Sequence, residues 1–170
     1  MNNLSIIKKW MKNNQIDIFL INRTDEFLSE YIAPYAERLF WISDFSGSAG
    51  RAIISSKQAT IFVDGRYTFQ ARQQINRKYF NIKKLENYWK FIENTFRNTI
   101  IVGLDSSLHS ITEVNRLQKI ADHNNTTIKF FEKNPIDKYW QNQPKYPNSH
   151  AFVLDKKYAG RSCGKKLLNI

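Results

Sequence analysis

Two short apolar runs, Arg51-Ala52-Ile53-Ile54 and Ala59-Thr60-Ile61-Phe62-Val63, are separated only by Ser55-Ser56-Lys57-Gln58, and this spacing constrains the fold more than any other feature of the chain. A connection that short joins antiparallel neighbours, because parallel strands need a crossover of roughly a dozen residues. Four more runs read as strands: Asp17 to Ile21, Phe80 to Ile82, Thr99 to Val102 ending at Gly103, and Thr127 to Phe131. Helical patterns alternate with them. Leu4, Ile7 and Met11 recur at helical spacing behind the capping residues Asn2 and Asn3, and Tyr67, Ala71 and Ile75 recur every fourth position up to Asn76. Leu85, Trp89, Ile92 and Phe96 mark another amphipathic helix. Ser110 to Glu113 is a capping box that starts a further one on Ile111, Val114, Leu117 and Ala121. Strands alternating with helices around a single hairpin predict an α/β domain whose mixed β-sheet is flanked by helices.

A chain of 170 residues buries about 70% of the surface it would expose unfolded, enough for one cooperative domain. Asn134-Pro135 and the stretch from Gln141 to Asn148, with prolines at 144 and 147, read as a linker. The expected division is a domain over residues 1–140, a linker over 141–150, and the truncated start of a following domain over 151–170. Cys163 is the one cysteine, so no internal disulfide forms, and a reducing, cytoplasmic location is expected. Lys8, Lys9 and Lys12 precede no long apolar run. Neither a signal peptide nor a membrane anchor is therefore expected. The net charge of +11 would suit an anionic partner, but Lys and Arg recur in every segment and form no single run, which argues against nucleic acid.

Chemistry concentrates in two places. Thr24 to Pro34, followed by Arg38-Leu39 and by Trp41 to Gly50, crowds carboxylates, a hydroxyl, an arginine and glycines where a core element would show a repeating apolar face. Asp64-Gly65-Arg66-Tyr67 sets a carboxylate, a hinge, a guanidinium and a phenol at the passage from strand to helix. The planar fork of Arg66 suits a peptide carboxylate or carbonyl, and Asp64 can aim it while capping the helix. A plain cap with a surface ion pair is the competing explanation. Glu30 can pair with a substrate amine or with Arg66, or simply sit in solvent. Tyr31, Tyr35, Phe40 and Trp41 are expected to pack. Gly47-Ser48-Ala49-Gly50 lacks the lysine and the following helix of a phosphate loop, and His109, His123 and His150 match no metal-ligand spacing.

Taken together, these segments resemble the N-terminal domain of Xaa-Pro aminopeptidases, the aminopeptidase P type shared with prolidase and creatinase. Later landmarks fall in the same order: Val102-Gly103-Leu104-Asp105, Asn134 to Trp140, Pro144, and Tyr158-Ala159-Gly160 with Lys165. Two positions depart from the family pattern. Asp44 stands where glycine is common, which implies an altered tight turn, and Asn142-Gln143 replace an Asp-Arg, which implies a lost charge pair. The resemblance implies a ribonuclease-H-like fold and a chain that frames substrate access and assembly for a catalytic domain lying outside it.

That catalytic domain carries two divalent metals, typically manganese. No cofactor is expected in the present chain, and no catalytic residue. Implied partners are the catalytic domain or subunit, a peptide with proline second, and a homo-oligomer. The substrate-framing candidates are Glu30, Asp64, Arg66 and Tyr67, with Arg66 implied to face the catalytic domain. Two other readings stay open: a basic nucleic-acid-binding module, and an inactive remnant of a split peptidase gene.

Overall fold

The computed structural model describes residues 2–97 and 99–170. Helix α1 (Asn3–Asn13) opens the chain, with the Asn2 side chain accepting from the Ser5 amide as an N-cap. The expected hairpin is present: β2 (Gly50–Ser55) and β3 (Ala59–Val63) pair antiparallel, Ala52 opposite Ile61. Strand β1 (Ile18–Asn22) lies antiparallel to β2 on its other side. Strands β4 (Phe80–Lys84), β5 (Ile101–Asp105) and β6 (Thr127–Phe131) then add in parallel, giving the order β4-β3-β2-β1-β5-β6. Only β2 runs against the rest, so the ends of β1, β3, β4 and β5 emerge along one edge where β2 begins.

Both faces of the sheet are covered, and side-chain alternation assigns each residue to one of them. Phe19, Ile21, Ile54, Ile61 and Val63 join the core beneath α1, α2 (Arg38–Ser43) and α3 (Thr68–Gln74). Ile18, Leu20, Ile53 and Phe62 join the opposite core beneath α4 (Tyr88–Thr95) and α5 (Ile111–His123). The predicted capping box at the start of α5 is formed, Ser110 Oγ accepting from the Glu113 amide and Glu113 from the Ser110 amide.

Several expectations are corrected. Gly103 lies inside β5 rather than ending it. A Cβ there would come within 2.9 Å of the Phe131 ring and 3.2 Å of Ile16, so glycine serves close packing across the sheet. Asn134-Pro135 is not a linker: Asn134 caps α6 (Pro135–Tyr139) and Ile136 is fully buried in the α1 core. Tyr31 and Phe40 are exposed, at 84% and 43%, while Tyr35 is buried and Trp41 packs partly against the core. Asp44 adopts the left-handed turn itself, at φ 62°, capping α2 without glycine.

Gln143 also keeps its place in a hydrogen-bond network, donating to Asp137 Oδ1 at 2.7 Å and to the Tyr35 carbonyl at 2.9 Å. A neutral amide thus bridges Asp137 and Tyr35 at a position where the resemblance implied the loss of a charge pair. The Tyr146 ring packs at a tilt against Tyr35, with centroids 4.8 Å apart. Beyond it, the short helices α7 (Lys156–Ala159) and α8 (Cys163–Leu167) are exposed along almost their whole length. Among the described residues, no helix is long and apolar enough to cross a membrane.

Candidate functional site

The strand ends along the common edge carry the residues singled out from sequence. After β3 ends at Val63, Asp64 accepts at Oδ1 from the Arg66 amide at 3.0 Å and from Arg66 Nε at 2.8 Å, closing a tight turn into α3. These hydrogen bonds and the adjacent cation hold the Asp64 carboxyl below its ordinary range, and the same carboxylate raises the Arg66 pKa. Two-thirds of the Arg66 side chain still faces solvent; its guanidinium lies over the Tyr67 ring at 5.4 Å, and its Nη groups, which meet no acceptor among the described residues, are open to a further one. Gly65 contributes no hinge: its φ is not positive, and a Cβ would meet nothing within 4 Å.

Tyr67 points back into the structure. Its hydroxyl sits 2.6 Å from Ser48 Oγ and its ring meets Phe45 edge-on at 6.0 Å. Gly47 is the residue that permits this approach, since a Cβ there would fall 2.3 Å from the Phe45 ring. Glu30 is exposed and, among the described residues, forms no ion pair within 4 Å, although its charge reaches Arg66 and helps to raise its pKa. Asp64, Arg66 and Tyr67 are therefore gathered by one turn, and Glu30 stands within electrostatic range of Arg66.

The hub of the site is Arg23, which sequence reasoning missed. Its side chain is only 7% exposed, and it donates to the Glu30 carbonyl at 3.2 Å, the Ser48 carbonyl at 3.0 Å and Glu37 Oε1 at 2.7 Å. Three loops are thereby tied to the end of β1. Buried Asp25 shapes the same segment by accepting from the Phe27 and Ser29 amides, with Leu28 in the left-handed region at φ 56°. The only signal in the sequence was an arginine directly after a strand, which is not distinctive. Arg51 and Glu113 were also missed; they form an ion pair across the edge, with Arg51 over the Tyr88 ring at 4.9 Å. Burial pushes the Tyr88 phenol up to about 12. A cleft of about 380 Å³ lies between these loops, lined by Asn22, Arg23, Glu30, Arg51 and Glu113 among others.

His109 lies below this edge, its Nδ1 2.8 Å from the Asp105 carbonyl and its Nε2 buried with no partner among the described residues. Burial lowers its pKa from 6.5, with Glu113, Arg51 and Asp105 as the charged groups that act on it. The unfolded imidazole takes up a proton near pH 6.5 and the folded one only at lower pH, so stability falls as pH drops below 6.5. His109→Gln is expected to flatten that slope, which for one proton reaches at most about 1.4 kcal/mol per pH unit. Urea unfolding between neutral and mildly acidic pH measures it; an unchanged slope in the variant contradicts the assignment.

The residues do not suit a metal pair. Among the described residues no three His, Cys, Asp or Glu side chains gather as a possible metal site. The buried or half-buried carboxylates are already engaged, Asp105 with Ser107 and Asn134, Asp137 with Arg38, and Glu113 with Arg51. No chemical step is therefore assigned to a metal in this chain.

A six-stranded mixed sheet with this edge defines an α/β domain of the creatinase and prolidase class. The family described as Creatinase/Prolidase N-terminal domain matches residues 4–132, and the chain belongs to it. A protein of Aspergillus flavus named "Probable Xaa-Pro aminopeptidase P" is 32% identical over 169 residues, covering 96% of this chain and 26% of that protein. One of the same name from Coprinopsis cinerea is 29% identical, covering 98% and 28%. The chain thus spans about a quarter of the length of these relatives. Among solved structures, the X-prolyl aminopeptidase from Caenorhabditis elegans, described as a cytosolic enzyme with a di-nuclear active site, superposes with a TM-score of 0.80 at 24% identity, over 91% of this chain and 26% of that one. The N-terminal domain of the cytoplasmic peptidase PepQ from Mycobacterium tuberculosis gives 0.60 at 18% identity, over 82% and 98%. These likenesses show the fold.

Proposed function

We propose that this chain is the substrate-framing, non-catalytic part of an Xaa-Pro aminopeptidase, acting beside a catalytic domain with two divalent metals. The observation that supports this most is Arg66, which Asp64 aims by a 2.8 Å hydrogen bond while two-thirds of its side chain stays in solvent at the strand edge. Ligands of open α/β sheets bind at such edges, outside the carboxyl ends of the strands. In this reading Arg66 and Glu30 supply opposite charges at the mouth of a site completed by another domain, and Tyr67 positions the turn through Ser48. Residues 1–140 form the framing domain, 141–150 a linker and 151–170 the start of the next domain. The peptide framed has proline second, the working location is the cytoplasm, and assembly extends to a homo-oligomer.

A chimera tests this, with the chain replacing the corresponding first quarter of the Caenorhabditis elegans enzyme. Supplied with manganese and an Xaa-Pro peptide, the chain alone is expected to hydrolyse nothing and the chimera to be active. Arg66→Ala in the chimera should lower kcat/KM by about tenfold, close to 1.4 kcal/mol of transition-state binding. Its unfolding midpoint should stay put, because an exposed ion pair contributes little to stability. Hydrolysis by the chain alone, or full activity after Arg66→Ala, contradicts the reading.

A further inference from the structure

Strand β4 ends the sheet: one side pairs in parallel with β3, Ala59 opposite Phe80 through Val63 opposite Lys84, and among the described residues no strand pairs with the other. Its outward backbone donors and acceptors are thus open to another extended chain. Beside it lies a concavity of about 680 Å³ whose lining includes Arg72, Arg77, Lys83 and Lys84 and no carboxylate. Charge is one-sided throughout this region. From Gly65 to Leu85 the chain has six Lys and Arg and no Asp or Glu. Among the described residues Arg72, Arg77 and Lys83 have no carboxylate within 4 Å, and Lys84 has only the exposed Glu86 at 3.5 Å. The lining also includes the apolar side chains of Phe80 and Ile82 from one face of the sheet and Phe91 from the other.

We infer that this edge is a docking site for an acidic, extended polypeptide segment, which adds to the sheet alongside β4 and sets its carboxylates against Arg72, Arg77 and Lys83. Charge complementarity and the free ladder of β4 select this occupant over a nucleic acid, which has no strand of amides to pair with. Edge pairing supplies affinity through the main chain, and the alternating side chains supply register. The surface adjoins the Arg66 turn, since Val63 and Thr68 on either side of that turn line the concavity, but it uses none of Asp64, Arg66 or Tyr67, so its role does not depend on substrate framing.

The test is anisotropy of a short fluorescein-labelled peptide alternating Glu and Val, titrated with the full chain at moderate salt. Saturable binding is expected, and Arg77→Glu combined with Lys83→Glu should weaken it by about tenfold or more. Both residues lie on an exposed rim, so the double variant should keep its circular dichroism and unfolding midpoint. The same peptide with alternate backbone amides N-methylated keeps its charge but cannot extend a sheet, and it too should lose about tenfold. Equal affinity for the methylated peptide overturns the inference, leaving a charged surface only. So does tighter binding of a single-stranded oligonucleotide that competes with the peptide, or no saturable binding at all.

Discussion

Arg23→Ala is expected to lower the stability of the chain by about 3 kcal/mol, the order found when one member of a buried, hydrogen-bonded charge pair is removed. The guanidinium is almost wholly enclosed, and its loss leaves the half-buried Glu37 carboxylate and Ser48 carbonyl without their donor, while the solvent-facing Glu30 carbonyl loses its tether to the end of β1. Glu37 Oε2 is already buried with no partner among the described residues, so none of them holds a spare donor ready to take over. Each acceptor left unsatisfied adds to the cost by about 1 kcal/mol or more. The segment from Thr24 to Ala33 should lose amide protection well before the rest of the domain, because it has little apolar burial of its own. Arg23→Lys should recover part of the loss, since an ammonium keeps the charge but not the planar fork that spans three acceptors. Urea unfolding and hydrogen exchange measure both effects. A loss under about 0.5 kcal/mol, the range of ordinary surface substitutions, would show that the loops are held by something other than this arginine.

Asp137→Ala should cost about 3 kcal/mol as well, equivalent to roughly 6 to 12 °C in the midpoint for a chain of this size. Arg38 from α2 meets Asp137 from α6 through two parallel hydrogen bonds of 2.8 Å, with its side chain only 9% exposed. Burial works against the Arg38 charge, but the hydrogen bond and attraction from Asp137 more than offset it and raise its pKa. Removing the carboxylate leaves an enclosed cation whose Nη1 already lacks a partner among the described residues. The pair also ties α6, and with it the chain from Asn134 onward, to the core containing Ile136. In the double variant Arg38→Met/Asp137→Ala most of the loss should return, because the cost lies in an unpaired buried charge rather than in the missing bond. If the double variant is as unstable as the two single changes added together, the coupling is absent.

The α/β class, the antiparallel hairpin and the α5 start were legible in the residues, for a common physical reason. The continuous apolar runs of β2 and β3, the short connection between them, and the Ser110 to Glu113 spacing are local patterns, and local backbone geometry obeys them. Gly103 misled because glycine ends strands as well as admitting close neighbours, and only the Phe131 ring and Ile16 distinguish the two uses. Asn134-Pro135 misled for a similar reason, since the pair opens a helix as readily as a linker. At the candidate site, the Asp64 to Tyr67 turn was visible because its parts are contiguous. Arg23 was not, because its acceptors lie 7 to 25 positions away along the chain.

What the sequence determined alone is the set of local commitments: where strands and helices form, which residues face a core, and that acidic and basic groups crowd two segments. Only the tertiary structure decided which of those charges meet. Arg23 with Glu37, Arg38 with Asp137 and Arg51 with Glu113 are all joined by the packing of separate elements. Ion pairs act over a few ångströms through space rather than along the chain, so their partners exist as partners only after the sheet has brought the loops to one edge and the helices against its faces.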